Sequence, residues 1–206
     1  AVTEDAAFSG VVPANTFADV DLGDTLALSA NLANGDPLPT WLAFDATTGT
    51  FSGTPGNGDV GSVNVTVTAT DSGNLSASDL FALTVANVND APTVAQALAD
   101  QSMLEDAAFS FVVPADTFVD QDAGDTLVLS ASLEDGSALP AWLSFNAQTG
   151  AFSGTSTNDN VGSVNVIVTA MDSDGLSAAD TFALTVVNVN DAPVVANPIA
   201  DQTAVE

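Results

Sequence analysis

The 206 residues carry 27 acidic side chains and no lysine, arginine or histidine, a formal charge of −27. Such a chain repels nucleic acid and anionic membrane surfaces, which excludes both as partners. Cysteine and histidine are both absent, so thiol chemistry, disulfides and soft transition-metal sites are excluded and any metal must be held by oxygen.

An apolar content of 46%, with two tryptophans and eleven phenylalanines, supplies enough burial for a packed core and argues against disorder. In chain order, a weak alternation over residues 8–12 predicts a first strand. Thr25-Leu26-Ala27-Leu28-Ser29 predicts a second, and shorter strands are expected over 41–44 and 50–52. The clearest signal follows: Val63, Val65, Val67 and Ala69 face one way while Asn64, Thr66, Thr68 and Thr70 face the other. Phe81-Ala82-Leu83-Thr84-Val85 alternates in the same manner. Turn formers separate these stretches, as in Asn34-Gly35-Asp36-Pro37, Thr47-Thr48-Gly49 and Pro55-Gly56-Asn57-Gly58-Asp59. No helical period competes. About seven short strands in about 100 residues predict an all-β fold, a Greek-key sandwich of the immunoglobulin type.

The whole plan then recurs at a fixed offset of 101 residues, so that Glu4, Trp41, Asp71 and Asp90 return as Glu105, Trp142, Asp172 and Asp191. Strands are expected again over 109–113, 126–130, 142–145, 164–170 and 182–186. A period of this length makes each unit a complete domain, whereas periods of about 20 to 50 residues mark solenoids. Two tandem sandwiches are therefore expected, over residues 1–91 and 92–192, with 193–206 as the start of a further repeat. The sequence reads as a segment of a longer array. No apolar run is long enough to span a bilayer and no signal segment opens the chain, so direct membrane insertion is not expected within it.

The acids are placed selectively. Of the four glutamates, Glu4, Glu105 and Glu206 share one phase of the repeat, and Glu134 alone stands elsewhere, as solvated surface. Asp19 and Asp21 recur as Asp120 and Asp122, and Asp71 recurs as Asp172. Asn87-Val88-Asn89-Asp90-Ala91-Pro92, repeated at 188–193, ends each unit with oxygen-bearing side chains and a stiff exit suited to a linker. Asp36, Asp45, Asp59 and Asp135 are expected to cap turns. The Asp172-Ser173-Asp174-Gly175 run is not an EF-hand, since such a loop needs glutamate at its twelfth position and Ala183 stands there.

At these residues the chain resembles the bacterial cadherin-like repeats, in particular the dystroglycan-type cadherin-like subgroup. The likeness is carried by Phe17-x-Asp19-x-Asp21-x-Gly23-Asp24-Thr25-Leu26, Leu38-Pro39-Thr40-Trp41-Leu42-Ala43-Phe44, Thr48-Gly49-Thr50-Phe51-Ser52-Gly53-Thr54-Pro55 and the linker. It implies sandwiches whose joints are stiffened by Ca²⁺. By the resemblance, one complete joint would draw ligands from Glu4, Asn87, Val88, Asn89, Asp90 and Ala91, and from Asp120, Asp122 and Asp172. Val88 and Ala91 would act through carbonyls, and Asn87 stands where cadherins usually place an aspartate. Asp19, Asp21 and Asp71, and likewise Glu105, Asn188, Asn190 and Asp191, would belong to incomplete joints. The acidic Asp-Arg-Glu motif of vertebrate cadherins is missing, so fewer ions per joint are expected. Ca²⁺ suits a mixed shell of about six to eight hard oxygens better than Mg²⁺, which demands a tight octahedron.

The implied function is a calcium-stiffened structural or adhesive extender of an extracellular bacterial surface protein or fibre, with neighbouring repeats of the same chain as its partners. A carbohydrate-binding module is the alternative, but Trp41 and Trp142 are expected in the core and there is no tyrosine. Homophilic adhesion between copies of the chain is another. An enzyme is not expected, because no lysine, arginine, histidine or tyrosine stands ready to orient a substrate beside the carboxylates.

Overall fold

The computed structural model describes residues 2–21 and 23–204, which leaves Glu206, the third glutamate of the recurring phase, outside the described residues. The chain divides into two compact units. The first comprises Ala1–Ala91 together with Asp120–Asp125, and the second comprises Pro92–Val119 and Thr126–Glu206. The acidic loop of the second repeat thus belongs to the first unit.

In the first unit the strands are β1 (Val2–Thr3), β2 (Phe8–Val11), β3 (Ala27–Leu32), β4 (Leu42–Asp45), β5 (Thr50–Gly53), β6 (Gly61–Thr70) and β7 (Ser76–Ala86). One sheet runs β1-β7-β6-β3 and the other β2-β5-β4. The alternation in β6 is realised: Val65, Val67 and Ala69 are buried, while Asn64 is exposed. Each buried valine contributes about 1.5 to 3 kcal/mol through area removed from water. Phe51 lies between the sheets with its ring centroid 4.6 Å from Phe44 and 5.6 Å from Phe81. Trp41 is half-buried and packs on this core.

Two features close the sandwich. Strand β1 pairs in parallel with the last strand, Val2 opposite Val85, and β2 then crosses to the second sheet. Asp5 makes that crossing at a φ of 56°, a left-handed conformation that aspartate tolerates better than most residues. At Gly53 a Cβ would lie 1.7 Å from the carbonyl oxygen of Trp41, so the close approach of β4 to β5 requires glycine.

The second unit repeats the plan with β9 (Gln101–Leu104), β10 (Ala108–Val112), β12 (Val128–Leu133), β13 (Leu143–Asn146), β14 (Ala151–Thr155), β15 (Gly162–Met171) and β16 (Ser177–Val187). Its sheets run β12-β15-β16-β9 and β10-β14-β13. Trp142 packs on the core beside Leu143 and Phe152. A short additional ladder joins β8 (Thr93–Val94) to β11 (Phe118–Val119).

The all-β sandwich expected from the sequence is present in both copies. Boundaries shift where the acidic loops intrude: the strands expected from Thr25 and Thr126 begin at Ala27 and Val128. Single helical turns occupy Asn57–Asp59 and Asn158–Asn160 within the turn clusters. Of the four aspartates expected to cap turns, Asp45, Asp59 and Asp135 do so, whereas in the fourth turn it is Asn34 Oδ1 that accepts the N–H of Asp36. Asp45 Oδ1 accepts from the Thr47 and Thr48 N–H groups, Asp59 Oδ2 from Gly56 N, and Asp135 Oδ1 from Ser137 N; Asp36 Oδ2 accepts from Asn34 Nδ2.

Candidate metal centre

Glu4 follows β1 directly and is 1% exposed. Its Oε1 accepts the N–H of Val88 at 2.7 Å, which ties the start of the first unit to the chain leaving β7. Its Oε2 is buried and meets no hydrogen-bond donor. Glu105 repeats the arrangement with the N–H of Val189 at 2.6 Å and an equally donorless Oε2. Burying a carboxylate oxygen with no partner is unfavourable by several kcal/mol unless a counter-charge reaches it. No side chain of this sequence carries a positive charge.

The loop Asp120–Asp125 gathers three carboxylates by local rules. Asp120 Oδ1 accepts the N–H of Asp122 at 2.9 Å, and the N–H of Asp125 reaches the Asp122 carbonyl at 3.2 Å. Gly124 supplies the φ of 101° that turns the chain back. Each of Asp120, Asp122 and Asp125 can then offer a carboxylate oxygen, all within 4.8 Å of one another. Asp122 is 7% exposed, and both Asp120 Oδ2 and Asp122 Oδ1 are buried without a donor. Like charges this close repel by more than 1 kcal/mol per pair at reduced dielectric. The other oxygen of Asp122, Oδ2, accepts the N–H of Asp90 at 2.7 Å, and Asp90 Oδ2 accepts from the Asn57 side-chain amide.

A second triad, Asp19, Asp24 and Asp71, also brings carboxylate oxygens within 4.8 Å of one another. Here Asp19 Oδ1 accepts from Asp21 N, Asp24 Oδ1 from Ser72 Oγ, and Asp71 Oδ1 from Leu75 N. Asp19 and Asp24 are exposed. Asp21, expected beside Asp19 and Asp71, is exposed and stands outside the triad, its place taken by Asp24.

The remaining expected ligands are placed as follows. Asp172, in the second unit, is buried, and its Oδ1 accepts three backbone N–H groups, those of Asp174, Gly175 and Leu176. Asn87 and Ala91 are exposed and Asn89 is half-buried. Asn188, Asn190 and Asp191 are exposed, with Asp191 Oδ2 accepting from Asn158 Nδ2 at 2.5 Å. Sequence reasoning missed Asp24 and Asp125, and missed the Asn57 and Asn158 supports. The signal was available, since both Gly-Asp pairs and both asparagines recur at the 101-residue offset.

These donors fit a hard divalent cation. Asp120, Asp122 and Asp125 provide carboxylate oxygens, Glu4 Oε2 is a further unsatisfied oxygen in the same unit, and the shell lacks nitrogen and sulfur. Ca²⁺ accepts such irregular, mixed oxygen shells. When bound, it would supply positive charge and turn carboxylate repulsion into attraction through a shared ion.

The immunoglobulin-like domain family described as "Putative Ig domain" (He_PIG) matches residues 1–86 and again 91–187. The serine-rich adhesin for platelets of Staphylococcus aureus strain MRSA252 is 28% identical over 145 residues, which cover 70% of this chain and 10% of the adhesin. The same adhesin of strain MSSA476 gives 28% over 145 residues and 6% of its length, so the chain spans a tenth or less of these relatives. Among solved structures, human CDH23 EC21-23 superposes with a TM-score of 0.60 at 22% identity, covering 90% of this chain and 70% of that one. Human mucin-like protocadherin EC1-2 gives 0.58 at 16%, covering 83% and 87%. These likenesses show a shared cadherin-like fold. No helix among the described residues is long and apolar enough to cross a membrane. With the family matched across both repeats, the chain belongs to the He_PIG immunoglobulin-like domains, present here as two copies in tandem.

Proposed function

We propose that this chain is a calcium-binding extender segment of an extracellular bacterial surface adhesin or fibre, in which the ion fixes each repeat against the next. The observation that carries this function is the pair of buried, donorless oxygens on Asp120 and Asp122 in a chain without a basic side chain. The similarity to a staphylococcal adhesin and the cadherin-like fold support a surface location and an adhesive or structural role. The ion would sit on Asp120, Asp122 and Asp125, with Glu4 Oε2 and the Asp90 region as further oxygen sources. Because the second repeat supplies that loop to the first unit, binding there would restrict bending between repeats.

Carbohydrate binding is less well supported, since both tryptophans pack on cores and no tyrosine adds an aromatic face. The deciding experiment is small-angle scattering with millimolar Ca²⁺ and with chelator. The expected result is a rise in conformational spread on chelation while circular dichroism still shows folded β-sheet. Identical scattering profiles in the two conditions would overturn the rigid-joint function.

A further inference from the structure

Two asparagines in this chain are followed by glycine, in Asn34-Gly35 and Asn57-Gly58, and both pairs stand in the first repeat. Asparagine amides are among the chemically labile side chains. Before glycine they are most open to attack by the next backbone nitrogen, because no Cβ obstructs its approach. The structure treats the two pairs oppositely. The N–H of Gly35 donates to the Leu32 carbonyl at 2.9 Å, and Asp36 engages both ends of the Asn34 amide, so nucleophile and target are each tied. The N–H of Gly58 donates to no group among the described residues. Gly58 is exposed, and a Cβ built there meets nothing within 4 Å.

Asn57 opens the helical turn Asn57–Asp59 and is half-buried, with its Nδ2 donating to Asp90 Oδ2. Asp90 in turn donates its N–H to Asp122 Oδ2 at 2.7 Å. The neutral amide therefore gives the linker carboxylate a donor in a chain that has no cationic side chain to offer one. The second repeat builds the same contact, from Asn158 Nδ2 to Asp191 Oδ2 at 2.5 Å. There Asp159 follows the asparagine, and its Cβ and carboxylate stand against the attack.

We propose that Asn57 is a self-modification site, at which the amide is converted to a carboxylate and the tie to the linker is lost. The Gly58 nitrogen bonds to Asn57 Cγ, the Cγ–Nδ2 bond breaks, and Nδ2 leaves as ammonia with the Gly58 proton. Water then opens the cyclic imide at either carbonyl, giving aspartate or its β-linked isomer at position 57. Water is the single co-reactant. The product is a carboxylate facing Asp90 Oδ2, so a hydrogen bond becomes a like-charge contact. Asp90 also governs the rate: while its carboxylate holds Nδ2 the amide is restrained, and release of that contact frees the amide to turn towards Gly58 N. Conversion is slow while the linker is seated, fast once it opens, and irreversible. A linker that opens often is thereby left loose. The consequence for stiffness rests on the joint function proposed for this chain; the conversion itself does not.

The test incubates the full 206-residue chain in chelator at mildly alkaline pH and follows amide loss at each asparagine by peptide mass spectrometry. Conversion at Asn57 is expected several-fold above that at Asn34 and at least ten-fold above that at Asn158. Asp90→Ala should speed conversion at Asn57 several-fold and leave Asn34 unchanged. Gly58→Ala should suppress it at least ten-fold; the open space at Gly58 keeps the fold intact, which circular dichroism checks. Equal conversion at Asn34 and Asn57, or a rate that Asp90→Ala leaves unchanged, would overturn the proposal. Asn57→Asp reproduces the product charge, and in chelator it should speed amide hydrogen exchange at Asp90 and lower the melting temperature. A variant that matches the parent in both would overturn the tie to the linker. None of these readouts needs a bound ion, so they stand or fall separately from the scattering comparison that tests calcium stiffening.

Discussion

The backbone N–H of Asp90 donates to Asp122 Oδ2 at 2.7 Å, although 32 residues separate them in the chain. The linker of the first repeat is thereby held by the acidic loop of the second, and one oxygen of Asp122 is occupied while Oδ1 remains buried without a donor. The two oxygens have separable roles, the first for the backbone and the second for a cation. Asp122→Asn can keep the acceptor and remove the charge. Calcium affinity measured by calorimetry should fall at least ten-fold, equivalent to about 1.4 kcal/mol. In chelator the same variant should melt no lower than the parent, because like-charge repulsion within the triad is relieved. A lower melting temperature in chelator with an unchanged calcium titration would show that the carboxylate is structural.

Glu4 poses the same question at a single side chain. Glu4→Gln retains an acceptor for Val88 N–H and puts an amide where the donorless Oε2 stands. Its expected effect is weaker calcium binding with the sandwich intact. Glu4→Ala removes the acceptor as well and leaves the part-buried Val88 N–H without that partner, which costs about 1 kcal/mol whether or not calcium is present. Denaturant unfolding of both variants in chelator separates the two effects. Equal destabilisation by Gln and Ala would mean that the carboxylate charge itself holds the first unit together.

The strands were legible in the sequence wherever one face is buried and the other wet, as in Val63 to Ala69, because a period of two leaves a direct trace. Strands β1, β8 and β11 span two residues each, too few to show any period. The metal centre was legible in part. Recurrence pointed to Asp120, Asp122 and Glu4, but the geometry of the turn decides which neighbours converge. Gly23 and Gly124 reverse the chain, so Asp24 and Asp125 swing into the triads; Asp122 belongs to its triad while Asp21, at the same repeat position, stands outside the other. The role of Asn57 depends on a contact 33 residues away, and local patterning carries no trace of such a pairing.

Glycine at the 53 and 154 positions is a steric requirement in both units. A Cβ at Gly154 would lie 2.0 Å from the carbonyl oxygen of Trp142, close to the 1.7 Å found at Gly53. Backbone must move to relieve either clash, so Gly53→Ala and Gly154→Ala should each destabilise their own unit by roughly 3 kcal/mol, the upper part of the range for overpacking. Scanning calorimetry should show a shifted transition with the calcium stoichiometry preserved. A shift of under a degree for both variants would contradict the close approach.

Asp45 and its repeat partner Asn146 offer a clean comparison for acid stability. Asp45 accepts from the N–H groups of Thr47 and Thr48, and Asn146 accepts from those of Gln148 and Thr149 in the same way. The backbone N–H of Thr47, followed by the Thr48 groups, holds the Asp45 carboxyl below its ordinary value. A carboxyl depressed in the folded state adds stability that is complete above its unfolded value and is lost as pH falls through the folded one. Asn146 has no proton to take up, so its cap persists in acid. Asp45→Asn should therefore leave stability near neutral pH almost unchanged and retain more of it than the parent around pH 3, measured in chelator so that metal release does not contribute. Asp45 is fully exposed, which makes the expected difference small, and the sign is the quantity that decides. Parallel pH profiles for parent and variant would remove the cap from any account of acid unfolding.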